Sequence, residues 1–112
     1  MRAALLAAAC LATAGCGGAA RPAATATEPP HAVRVEMRDN RFIPRRIVVR
    51  LGQAVRWTNR DAVAHTVASR DLQLSSEGIE GGENFGYRPL RAGRFRYYCT
   101  IHAGQTGVLV VR

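Results

Sequence analysis

The segment Tyr97-Tyr98-Cys99-Thr100-Ile101-His102-Ala103-Gly104-Gln105 puts a thiol, an imidazole and a side-chain amide into one short stretch, spaced Cys-x2-His-x2-Gln. Upstream, Asp61-Ala62-Val63-Ala64-His65-Thr66-Val67 offers a second imidazole. Two imidazoles, one thiolate and a weak fourth oxygen donor form the ligand set of a mononuclear copper site of the blue, electron-transferring kind. A Cys-x2-His pair alone is a weak signal, because a lone cysteine is more often an inert buried thiol. His65, together with the all-β context described next, moves the reading toward a metal.

The elements that must position these groups show a period of two from residue 31 onward. Val33, Val35 and Met37 alternate with Arg34, Glu36 and Arg38, and Ile47, Val49 and Leu51 with Arg46, Val48 and Arg50. Val55, Trp57 and Asn59 alternate with Arg56 and Thr58, and Phe95, Tyr97 and Cys99 with Arg94, Arg96 and Tyr98. Each run predicts a strand with one buried and one wet face. Residues 108–111 are apolar on both faces, as suits an interior terminal strand. Turn chemistry at Asp39-Asn40, Gly52, Asn59-Arg60-Asp61, Gly81-Gly82 and Gly93 separates the runs. The pattern predicts an all-β, antiparallel sandwich or barrel of about seven to eight short strands. Residues 70–82 are the least regular and are expected to form a long loop. The strand phase turns the Cys99 sulfur inward with Phe95 and Tyr97. His102 follows in a loop that can curl back to it, and only the fold can bring His65 alongside.

The 112-residue chain has room for one domain. Residues 1–15 read as an export signal: a basic start, a short apolar run and small residues before Cys16. The apolar run falls short of the roughly 20 residues a spanning helix needs. It resembles a bacterial lipoprotein signal, cleaved before a lipidated Cys16, although Thr13 stands where Leu is usual. An ordinary cleaved signal with an incidental cysteine is the alternative. Residues 16–30, rich in Ala, Gly, Thr and Pro, read as a flexible tether with a reach on the order of 20 Å. Residues 31–112 are the folded domain. With Cys10 removed and Cys16 lipidated, Cys99 is the one thiol left and has no internal partner.

All 16 basic residues are Arg, and the net charge is +8. In an exported chain with its Arg residues spread along strands, that charge favours an acidic protein surface or anionic headgroups over nucleic acid.

Phe42-Ile43-Pro44, Trp57-Thr58-Asn59-Arg60-Asp61, His65-Thr66-Val67, Tyr98-Cys99-Thr100-Ile101-His102 and the closing Gly107-Val108-Leu109-Val110-Val111 resemble a cupredoxin of the plastocyanin and amicyanin type. The resemblance covers nearly all of residues 31–112. It implies a Greek-key β-sandwich and one-electron transfer in a periplasm, at a cell surface or in a thylakoid lumen. It implies His65, Cys99 and His102 as in-plane ligands of one copper ion cycling between Cu(I) and Cu(II). Gln105 stands where the axial Met is usual, as in the stellacyanins, and Ile101 stands where Pro is common. Thr66 occupies a position, often Asn, that hydrogen-bonds across to the Cys loop. Asn59 and Asp61 read as turn-formers, Met37 as core and His31 as a solvated surface residue. His102 would present its second ring nitrogen near the surface among Ala62, Val63, Ala64, Ile101 and Ala103, with Val63, Ile101 and Ala103 as contacts for an acidic redox partner.

The expectation is therefore a monomeric, exported, membrane-anchored electron carrier and not an enzyme. There is no open metal position, no acid–base pair beside the site and no second loop cysteine for a dinuclear centre. Copper delivery or protection in the cell envelope is the alternative use of the same ligands. A metal-free binding module is a third.

Overall fold

The computed structural model describes residues 31–112; the signal, Cys16 and tether readings lie outside the described residues. The nine strands are β1 (Val33–Arg38), β2 (Arg41–Ile43), β3 (Arg46–Val49), β4 (Val55–Asn59), β5 (Ala68–Ser69), β6 (Leu74–Ser75), β7 (Asn84–Tyr87), β8 (Gly93–Tyr98) and β9 (Thr106–Val111). They form two sheets, ordered β2-β1-β4-β7 and β3-β9-β8-β5-β6. This is the all-β sandwich that the alternation predicts. Among the described residues it has nine strands, close to the seven or eight expected; the short β2, β6 and β7 fall outside the alternating runs.

Two pairings, β1 with β4 and β3 with β9, are parallel within the sandwich that the alternation reads as antiparallel. Alternation reports which face a residue takes and carries no information about a neighbour's direction. The chain leaves the first sheet after β2, enters the second as β3 and returns as β4, so β1 and β4 arrive side by side running the same way. The β1–β2 hairpin turns through Asp39 and Asn40, with φ of 53° and 57°. Positive φ at both positions is the type I′ form of a two-residue hairpin, which Asp and Asn tolerate.

The inner faces match the alternation: Val35, Met37, Val55 and Trp57 from one sheet meet Ile47, Val49, Phe95, Tyr97, Leu109 and Val111 from the other. Leu51 departs from it. Strand β3 ends at Val49, and Leu51 lies in the following turn, 53% exposed. Tyr97 joins the layers, edge-on to Phe42 at 4.7 Å and to Trp57 at 5.4 Å between ring centroids. Such pairs add about 0.5–1.5 kcal/mol each beyond area burial. Three Arg residues, Arg45, Arg94 and Arg96, line one groove of about 480 Å³.

Gly107 on β9 lies against the Tyr97 ring, and a Cβ there would stand 2.6 Å from the phenol oxygen. The ring is held by Phe42 and Trp57 and cannot yield. Gly107→Ala is expected to lower the unfolding free energy by about 1–3 kcal/mol, read as a shift in urea midpoint at constant slope. A midpoint equal to wild type would show that Tyr97 relaxes freely.

Candidate metal centre

Residue Asn59, at the end of β4, organises the first ligand loop. Its side-chain amide donates to the Val63 carbonyl at 2.7 Å and the Ile79 carbonyl at 2.8 Å, and its carbonyl oxygen accepts from Asp61 N at 2.8 Å. Asn59 is fully buried, so each of these bonds replaces water that cannot reach the site. The segment around residue 80 supports the loop from below. His65 and Ile79 exchange backbone hydrogen bonds, and a Cβ on Gly81 would meet the Asp61 carbonyl at 2.7 Å. Only glycine allows that approach.

The second loop runs from Cys99 to Gln105, between β8 and β9. Cys99 N donates to the Gln105 carbonyl at 2.9 Å and Gln105 N to the His102 carbonyl at 3.3 Å, so the loop closes on itself. The two loops are tied together by Thr66 and Thr100. Thr100 N donates to Thr66 Oγ1 at 2.7 Å, and the two hydroxyls stand 2.8 Å apart.

At the centre, Cys99 Sγ lies 4.0 Å from His65 Nδ1 and 3.8 Å from His102 Nδ1. One ligand atom from each of the three residues falls within 4.8 Å of the others. His65 is fully buried, Cys99 buried and His102 half-buried. The sulfur receives the N–H groups of Thr66 and Ile101, each at 3.4 Å, and the Thr66 hydroxyl at 3.7 Å. Burial pushes the thiol pKa up; the N–H groups of Thr66 and Ile101 and the His102 contacts outweigh it and bring the value from 9.0 down to about 6. The thiolate is therefore the resting form at neutral pH. Cys99 is the single free cysteine among the described residues.

The other ring nitrogen of His65, Nε2, stands 2.7 Å from Asp61 Oδ2. Burial pushes the Asp61 pKa up, but hydrogen bonds from Asn40 N, the His65 ring and Asp39 N hold it below the ordinary carboxylate value. An ionised carboxylate only accepts, so His65 Nε2–H donates to it, and the other ring nitrogen, Nδ1, faces Cys99. The sequence reading took Asp61 for a turn-former and missed this contact. An acidic residue four positions before the histidine was the available signal, but without a helix that spacing implies no proximity.

Gln105 is 2% exposed, and both polar atoms of its side-chain amide lack a hydrogen-bond partner among the described residues. An orphaned buried amide on the loop that carries Cys99 and His102 fits a weak axial oxygen donor. The donor set as a whole, one thiolate with two Nδ1 imidazoles, suits copper. Of the outer residues, Val63 is 50% and Ile101 52% exposed, and Ala103 is exposed. His31 is exposed at the start of the described chain and Met37 is in the core, and neither belongs to the ligand cluster.

In the metal-free protein, thiolate absorbance of Cys99 in the ultraviolet is expected to titrate with a midpoint near 6. The folded pKa is depressed, so its contribution to stability is complete above the ordinary thiol value of 9.0 and is lost as pH falls through about 6. Metal-free protein should accordingly unfold at lower urea at pH 5.5 than at pH 9. A midpoint above 8 would mean that the N–H donors do not hold a thiolate.

The sequence matches the family described as "Cupredoxin-like domain" over residues 3–111. Amicyanin of Paracoccus versutus is 24% identical over 96 residues, covering 81% of this chain and 73% of that protein. Two solved amicyanin variants share the fold. A Pro-to-Gly variant in its reduced Cu(I) form gives a TM-score of 0.70 at 25% identity, covering 82% of this chain and 92% of its own. A Met-to-Gln variant in its Cu(I) form gives 0.69 at 26% identity, covering 72% and 82%. With this sandwich, and with the His65, Cys99 and His102 cluster at one end of it, the chain belongs to the cupredoxin-like family.

Proposed function

We propose that this protein is a type 1 copper electron carrier of the bacterial cell envelope, and not an enzyme. The observation that carries the reading is the Cys99 thiolate set between His65 Nδ1 and His102 Nδ1 at 4.0 and 3.8 Å, held by N–H groups from two loops. His65, Cys99 and His102 would hold one copper ion, with Gln105 as the axial donor. When bound, copper supplies a one-electron Cu(I)/Cu(II) couple. That the similar amicyanin structures contain Cu(I) supports this choice of metal. His65 and Cys99 exclude water from the inner side, while half-buried His102 leads to the surface.

Exposed Val63, Ile101 and Ala103 at that end suit a small apolar contact with a redox partner. Arg41 and Arg45 stand beside Gly104 and Thr106 around an adjoining cleft, a placement that would steer an acidic partner. Register puts Val33 beside Val55 and Met37 beside Asn59, so residue 31 leaves the sandwich at the end away from the metal cluster. A lipid on Cys16 and a tether through residue 30 would then attach the domain to a membrane with the copper end facing outward. Copper delivery would use the same ligands, but the closely held donor set favours rapid electron exchange over copper release.

Voltammetry of the copper-loaded protein tests the assignment: one reversible one-electron wave is expected, and none in Cys99→Ser. Gln105→Met is expected to raise the potential, because a thioether favours Cu(I) where an amide oxygen favours Cu(II). An unchanged potential would place Gln105 away from the copper. Val63→Asp and Ile101→Asp are each expected to slow electron exchange with an acidic partner while leaving the copper spectrum intact. Exchange in wild type should also fall as salt rises, since exposed charges are screened beyond about 8–10 Å at physiological ionic strength. Wild-type rates in both variants would put the electron's exit elsewhere.

A further inference from the structure

The Asp61 carboxylate makes three contacts that no turn-former requires together. Its Oδ2 stands 2.7 Å from His65 Nε2, inside the buried side of the site. Its Oδ1 accepts from Asp39 N at 2.8 Å, and Oδ2 accepts from Asn40 N at 3.1 Å. Asp39 and Asn40 are the two left-handed residues of the β1–β2 hairpin. Its own backbone N–H is held by Asn59 Oδ1 at 2.8 Å. The carboxylate is thus held by the hairpin N–H groups and the backbone behind it by Asn59 on β4, and among the described residues the His65 imidazole is the one side chain the carboxylate contacts. Asp61 is 16% exposed on its side chain and His65 is fully buried, so water screens the contact weakly.

We propose that Asp61 is a positioning residue for the copper centre: it fixes His65 as the Nε2–H tautomer with Nδ1 free for the metal, and its negative charge, transmitted through the ring, biases the site toward Cu(II). The inference rests on the copper reading above and deepens it. A carboxylate on the outer nitrogen makes the imidazole a more basic ligand, and partners of this kind typically change metal affinity 10- to 100-fold when removed. The more highly charged Cu(II) gains more from the added negative charge than Cu(I) does. The β1–β2 hairpin thereby becomes part of the metal site, although none of its side chains belongs to the ligand cluster.

The experiment compares wild type, Asp61→Asn and Asp61→Ala in the full chain. Asp61→Asn keeps an oxygen to accept from Nε2–H and removes the charge. It is expected to retain the visible thiolate–Cu(II) band while the preference for Cu(II) over Cu(I) falls about tenfold, a rise in potential of about 59 mV for a one-electron couple. Asp61→Ala loses orientation as well and should shift further, with weaker Cu(II) retention. A role confined to holding the hairpin would lower stability in both variants and leave the potential of Asp61→Asn at the wild-type value; that result overturns the proposal. Should the variants fail to fold, nitrogen-15 NMR of Cu(I)-loaded wild type decides. A slowly exchanging proton on His65 Nε2 is expected, and a proton on Nδ1 instead overturns it. A wild type that forms no thiolate–Cu(II) band would overturn the copper reading and this inference together, whereas a band with an unshifted potential in Asp61→Asn overturns this inference alone.

Discussion

A negatively charged sulfur buried at the seam of two sheets is the constraint on which the rest of this structure depends. Burying an unpaired charge is costly, and the cost is met only by donors already in place. Here the donors come from both sides of the seam. Thr66 N–H arrives from the loop after β4, in the first sheet, and Ile101 N–H from the loop after β8, in the second. Neither loop can shift without losing the sulfur. The Thr66–Thr100 tie fixes one loop against the other, and Asn59 fixes the first loop to the segment around Ile79. The open approach at Gly81 lets that segment come close enough to serve.

The sandwich supplies the rigidity this arrangement needs. Trp57 lies two residues before Asn59 on β4, and Tyr97 two residues before Cys99 on β8, and the two rings meet edge-on across the layers. The strands that end in the ligand loops are therefore locked to each other by their last inward aromatic side chains. Donors mounted on strand ends that cannot move independently stay in place when the charge at the centre changes by one unit. That is the physical basis for reading the site as a conduit for electrons, and it makes the metal binding and the stability of the fold one problem.

Much of this could be read from the chain before its fold was known. Alternation placed Val35, Met37, Val55, Trp57, Phe95 and Tyr97 inside, and the same phase turned Cys99 inward. The Cys99, His102 and Gln105 spacing brought three of the candidate donors into one loop. The side-chain period says nothing of neighbours, so the parallel pairings of β1 with β4 and β3 with β9 were out of reach. Strand β7 was missed because Phe85 and Tyr87 are a short signal beside Gly86. Leu51 was misplaced because the alternation runs past the point where Gly52 turns the chain. The contact between Asp61 and His65 depends on the hairpin at Asp39 and Asn40, a segment more than twenty residues earlier that only the tertiary fold brings near. Arg45 likewise lies far in sequence from Arg94 and Arg96 and meets them at one groove through the β3–β9 and β9–β8 registers.

The central claim is that Cys99, as a thiolate between two imidazoles, binds copper. Its most direct test is to add one equivalent of Cu(II) to the protein and record the visible spectrum beside that of Cys99→Ser. An intense thiolate-to-copper band in wild type, absent in the variant, is the expected result. A colourless wild type, or a variant that keeps the band, would contradict the account.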